Sequence, residues 1–154
     1  MKKLMVFACA ALLLAGCGSS KEEEVKKESK TCSIEEAGMG MAIKMDAEDD
    51  VIKNIEMTIT MPSTLTGIDA STLSEEDLKE AGKAGLANIG VEEGTEGVTA
   101  TFKAKDKDLE MTVGFDLKKT DAEILKQMGV SEEITDSKLS DAVKGASSEG
   151  FTCK

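Results

Sequence analysis

The sequence predicts an α+β domain: a single antiparallel sheet of about five or six strands with two or three helices packed on its apolar face. Three observations lead there. Apolar and polar residues alternate with period two in two separate blocks, residues 31–61 and 98–117. Helix-capping patterns occupy the stretches between and after those blocks. The one proline, Pro62, and a scatter of glycines fall where elements must stop.

Taken in order, residues 31–36 form the first strand. Met39, Met41, Ile43 and Met45 then alternate with Gly40, Ala42 and Lys44, an acidic turn follows over residues 46–50, and Ile55, Met57, Ile59 and Met61 return to Pro62. This is an antiparallel meander with one apolar face. Ser74 and Asp77 make a capping box with a shortened acid, Glu75 and Glu76 suit the positive end of a helix, and Leu78, Leu86 and Ile89 lie along one side before Gly90. Gly82 and Gly85 either weaken that helix or let it pack closely. A second hairpin pairs Val98, Ala100, Phe102 and Ala104 with Leu109, Met111, Val113, Phe115 and Leu117 across a Lys-Asp-Lys-Asp turn. Thr120 and Glu123 form a capping box for a short helix running to Met128, with Gly129 after it. A last helix over residues 137–146 presents Leu139 and Val143, and Gly150 releases the chain into a final extended segment, residues 151–153.

The chain begins with a leader of three parts. Lys2 and Lys3 hold the start on the cytoplasmic side, residues 4–15 are apolar, and Ala15-Gly16 gives a small-residue approach to Cys17. The apolar run is shorter than the roughly 20 residues a bilayer-spanning helix needs. Leu14-Ala15-Gly16-Cys17 has the residue sizes of a lipobox, so cleavage before Cys17 leaves a cysteine that carries diacylglyceryl and further acyl chains such as palmitate. Two or more chains anchor a protein stably, where one binds marginally. The expected organisation is a lipoprotein signal peptide at 1–16, a lipidated cysteine and flexible charged tether at 17–30, and a single domain at 31–154. The expected location is the extracytoplasmic face of a bacterial cell membrane, or an outer membrane where the source has one.

Net charge is -11, and loss of the two leader lysines takes it to -13. Residues 18–30 hold four lysines and four glutamates, so this charge lies entirely on the domain. Such a field repels nucleic acid, which is not an expected partner. With no His, Arg, Trp or Tyr, the Ser-His-Asp and Cys-His mechanisms are excluded, and no nucleophile elbow or phosphate-binding glycine loop occurs. No catalytic, cofactor-binding or metal-binding residue is assigned. The acids at 46–50 lack the glycine and terminal glutamate of a calcium loop and read as a solvated turn. The methionine-rich strand face reads as core packing, with a pliable apolar pocket or an oxidant-sensitive surface as alternatives.

Cysteine arithmetic adds one constraint. Cys9 leaves with the leader and Cys17 is acylated, which strands Cys32 at the start of the domain and Cys153 next to its end. Outside the cell two such thiols tend to pair. Their strand parity turns both inward, and a disulfide between neighbouring first and last strands is expected.

The lipobox, the charged tether, the paired early strands, the helix Ser74-Glu75-Glu76-Asp77-Leu78-Lys79, the turn Asn88-Ile89-Gly90-Val91-Glu92-Glu93 and the hairpin ending Leu109-Glu110-Met111-Thr112-Val113-Gly114-Phe115-Asp116 together resemble the YehR-like family of small bacterial lipoproteins. The resemblance spans nearly the whole chain. It implies an α+β lipoprotein and, because the family is a domain of unknown function, supplies no catalytic residue. The functional expectation is a non-enzymatic binding or accessory domain in the cell envelope, anchored through its lipid and recognising an envelope protein, a peptide or a glycan. The alternatives are a carboxylate-type enzyme acting on envelope glycans, and an inhibitor of an external enzyme that would use residues 92–97 as a protruding loop.

Overall fold

The computed structural model describes residues 25–88, 90–92, 94–127 and 137–154. Its centre is one open antiparallel sheet of six strands: β1 (Lys27–Glu36), β2 (Met39–Glu48), β3 (Val51–Met61), β4 (Val98–Lys105), β5 (Asp108–Asp116) and β6 (Thr152–Cys153), in the order β4-β5-β3-β2-β1-β6. Four helices stand among the described residues: α1 (Ser63–Thr66), α2 (Glu75–Asn88), α3 (Ala122–Gln127) and α4 (Leu139–Ser148). A 3-10 turn, Ala70–Thr72, lies between α1 and α2.

The first three strands form the expected meander, tightly joined. Ala37 and Gly38 both have positive φ, as do Asp49 and Asp50, the pattern of the two-residue hairpin turn whose twist matches that of its strands. The acidic stretch is therefore mostly strand, with only Asp49 and Asp50 turning. A register shift between Asp46 and Ala47 opposite β3 lets Ala47 and Ile52 pair and keeps both on the apolar side. β1 begins at Lys27, inside the stretch expected to be tether. Lys27 to Lys30 pair with Glu48 to Met45 through main-chain groups, which need no apolar side chain, and Lys27 adds an ion pair to Glu48 at 3.6 Å.

Alternation decides the two faces. Cys32, Met45, Ala47, Ile52, Ile55, Val113 and Phe115 are buried in one cluster with Leu86 of α2, Val91, Leu125 of α3 and Leu139 of α4. Each Val, Leu, Ile, Met or Phe side chain of this kind contributes about 1.5–3 kcal/mol when fully buried. A smaller cluster of Ala70, Leu78 and Leu109 closes the other end of β5. Gly82 explains how near α2 comes to β4: a Cβ there would lie 1.9 Å from the Phe102 ring, so close packing is the reason for this glycine.

Of two helix starts, one matches expectation and one differs in detail. Ser74 and Asp77 cap α2 reciprocally as anticipated, with Asp77 N–H donating to Ser74 Oγ at 3.2 Å and Ser74 N–H donating to Asp77 Oδ2 at 3.1 Å. At α3 the cap is Asp121, whose Oδ1 accepts the Glu123 N–H at 2.8 Å. Thr120 is buried, and its hydroxyl donates to the Gly97 carbonyl at 3.0 Å, tying α3 to the start of β4. Met128 and Gly129 lie outside the described residues.

Candidate functional site

The face of the sheet opposite the core is built from outward positions that never had to pack, and their sizes shape it. One row crosses all six strands in register: Thr152, Ser33, Ala42, Thr58, Thr112 and Thr101. The next row is Glu35, Gly40, Thr60, Glu110 and Lys103. Gly40 and Ala42 put almost no side chain over β2, and a groove of 570 Å³ opens above them, with Ser33, Glu35, Thr58, Thr60, Thr152 and Glu110 around it. β-branched threonine suits such half-exposed strand positions and supplies a hydroxyl that both donates and accepts.

Polar contacts hold the lining in place. The hydroxyls of Thr58 and Thr112 are 3.0 Å apart, one donating to the other across β3 and β5. At the β5 side Lys105 Nζ lies 3.8 Å from Glu110 Oε2, an ion pair on the rim. Surface pairs of this kind contribute little to stability, so Lys105 and Glu110 can exchange partners at low cost. The arrangement offers hydroxyls, two carboxylates and an ammonium to a polar, extended molecule lying over the strands.

Four carboxylates outside the groove, Asp50, Asp69, Asp77 and Asp116, are committed to local structure. Backbone and hydroxyl donation from Ser140 holds Asp50 below the usual carboxylate range. The Ser71 hydroxyl does the same for Asp69, the Ser74 hydroxyl for Asp77, and the Lys118 N–H for Asp116. These shifts come from turn and cap hydrogen bonds that favour the ionised form. The acids of 46–50 separate in the same way: Asp46 meets Lys44 at 3.4 Å, Glu48 meets Lys27, Asp49 Oδ1 accepts the Lys26 N–H at 3.0 Å, and Asp50 faces Ser140. Among the described residues, no group of three or more Asp, Glu, Cys or His side chains is placed to hold a metal ion.

Cys32 and Cys153, paired directly in register between β1 and β6, form a disulfide with an S–S distance of 2.00 Å and α-carbons 3.9 Å apart. Cys17 lies outside the described residues. Part of the segment proposed for a protruding loop is tied down: Thr95 N–H donates to Glu92 at 3.2 Å, and the Gly97 carbonyl accepts from Asp116 N–H at 2.8 Å as well as from Thr120. No helix among the described residues is long and apolar enough to cross a membrane. The groove itself was not anticipated from the sequence. Its only signal was the run of small outward residues, and these meet only once the register of four strands is known.

No protein-family model matches the chain, and neither does the sequence of any curated protein. Solved structures do. The NMR structure of the E. coli YehR protein superposes with a TM-score of 0.61 at 18% identity, covering 84% of this chain and 92% of that one. The NMR structure of a protein from Streptococcus pneumoniae TIGR4 superposes with a TM-score of 0.53 at 13% identity, covering 100% of this chain and 98% of the other. At these identities the likeness speaks for architecture, and the architecture of this chain is YehR-like.

Proposed function

We propose that the protein is a lipid-anchored, extracytoplasmic accessory domain that binds a polar component of the cell envelope without catalysing a reaction on it. The single observation that carries this reading is the division of the sheet into two faces. Leu86 of α2, Leu125 of α3 and Leu139 of α4 join the buried cluster of the apolar face, while the opposite face presents a hydroxyl-rich groove with an ion pair on its rim. A groove of 570 Å³ is within the size range of small-ligand sites. Its open shape suits a short stretch of glycan or peptide rather than an enclosed metabolite. Anchoring rests on Leu14-Ala15-Gly16-Cys17.

The test is co-sedimentation of the protein with purified cell-wall sacculi, for the unsubstituted chain and for Ala42→Arg, which fills the groove from an outward position without touching the core. Retention of the unsubstituted chain together with at least about tenfold weaker retention of the variant, a difference of about 1.4 kcal/mol, supports the reading. Equal retention of both, or retention of neither, overturns it.

A further inference from the structure

The apolar face is not uniformly closed. Met45 is buried, whereas Met39 is 46% exposed, and Met41 and Met61 are half-buried. These three lie at the end of the sheet where β2 begins and β3 ends. Met39 and Met41 are two apart on one strand, so both point to the same face about 7 Å apart. Gly40 pairs with Thr60, and continuing that register by one position sets Met39 opposite Met61. Directly opposed residues have Cβ atoms about 4.5–5.5 Å apart, and three flexible thioether arms span such gaps easily.

We propose that Met39, Met41 and Met61 form a three-thioether site for a soft monovalent cation, Cu(I), beside the small Ala70, Leu78 and Leu109 cluster, against which Met61 packs. Thioethers select Cu(I) over the hard cations that carboxylates take. The chain has no histidine, and Cys32 and Cys153 are joined to each other, which leaves methionines as the soft donors among the described residues. Glu36, opposite Met39 in register, supplies a nearby negative charge, and the net charge of -11 favours a cation. The remaining face methionines are placed differently. Met45 is buried in the main cluster, Met57 packs against that cluster, and Met111 does so under α2, its sulfur 3.9 Å from where a Gly85 Cβ would be. Strand parity turns these three side chains away from the hydroxyl-bearing face, and Met41 also borders the polar groove at β2.

The experiment uses the full chain with Cys9 and Cys17 replaced by serine, so that no free thiol competes, titrated anaerobically with Cu(I) against a chromophoric chelator. One equivalent is expected to bind, with a sulfur-only first shell by X-ray absorption. Met39→Leu alone should weaken binding at least about tenfold, a loss that even outer-shell partners can cause. The triple Met39→Leu, Met41→Leu, Met61→Leu chain should bind no better than background while keeping its circular dichroism. Silver(I), a redox-inert stand-in, should move the methyl resonances of these three methionines and leave Met45 in place. Absence of competition by the unsubstituted thioethers, undiminished binding by the triple variant, or resonance shifts centred on other residues would each overturn the site.

Discussion

Asp50, at the β2–β3 turn, caps a helix ninety residues away: its carboxylate accepts the Ser140 N–H at 3.0 Å and the Ser140 hydroxyl at 3.0 Å. The backbone joins in, since Leu139 N–H donates to the Asp50 carbonyl at 2.7 Å and Lys138 bridges to Val51. Lys138, the residue before α4, makes no side-chain cap of its own, so the start of this helix is completed by the hairpin.

A pH dependence follows from this contact. The Asp50 carboxyl is held below its ordinary value, mainly by the Ser140 N–H and then by its hydroxyl, with Lys138 and Lys144 adding to the effect. A group whose folded-state pKa is depressed stabilises the fold above its unfolded value, and that contribution is lost as pH falls through the folded value. Denaturant unfolding of wild type and Asp50→Asn should therefore differ most at about pH 6 and converge toward about pH 3. A difference that is constant over that range would remove the charge from the explanation.

Gly82→Ala should destabilise the domain even though alanine is the better helix former. Overpacking costs about 1–3 kcal/mol, against a propensity gain of up to about 1 kcal/mol. Because the clash is with the Phe102 ring, Phe102→Leu should cost less in the alanine background than in wild type. Urea melts of the four proteins in the double-mutant cycle decide this, and additive costs would show that the two residues do not meet.

Loss of the disulfide, by Cys32→Ser or Cys153→Ser, should lower stability by about 2–5 kcal/mol, since the bond closes a loop of 121 residues. Digestion of envelope-derived protein without reductant should yield the two cysteines in one linked peptide. Two separately alkylatable thiols would contradict the bond.

Cys17→Ala should prevent incorporation of a labelled fatty acid and leave an unprocessed or released protein. A variant that still takes up label and stays with the membrane in high salt would dismiss the lipoprotein reading.

Local chemistry was legible in the sequence wherever it acts over a few residues. Period-two alternation marked β2 through β5, Pro62 marked the end of β3, and Ser74 with Asp77 marked the start of α2, because side-chain parity and capping are settled within one or two turns of chain. Strand parity and cysteine count together pointed to Cys32 with Cys153. Other features required the assembled molecule. Lys27 to Lys30 looked like tether because main-chain pairing with β2 leaves no mark in side-chain polarity. Thr120 looked like a cap until the turn at Gly97 arrived to take its hydroxyl, and Asp50 looked like a solvated acid until α4 was brought against it. The groove over Gly40 and Ala42 and the opposition of Met39 to Met61 depend on register and strand order. Those are decided by how distant segments share one core, a choice that no local window of the chain contains.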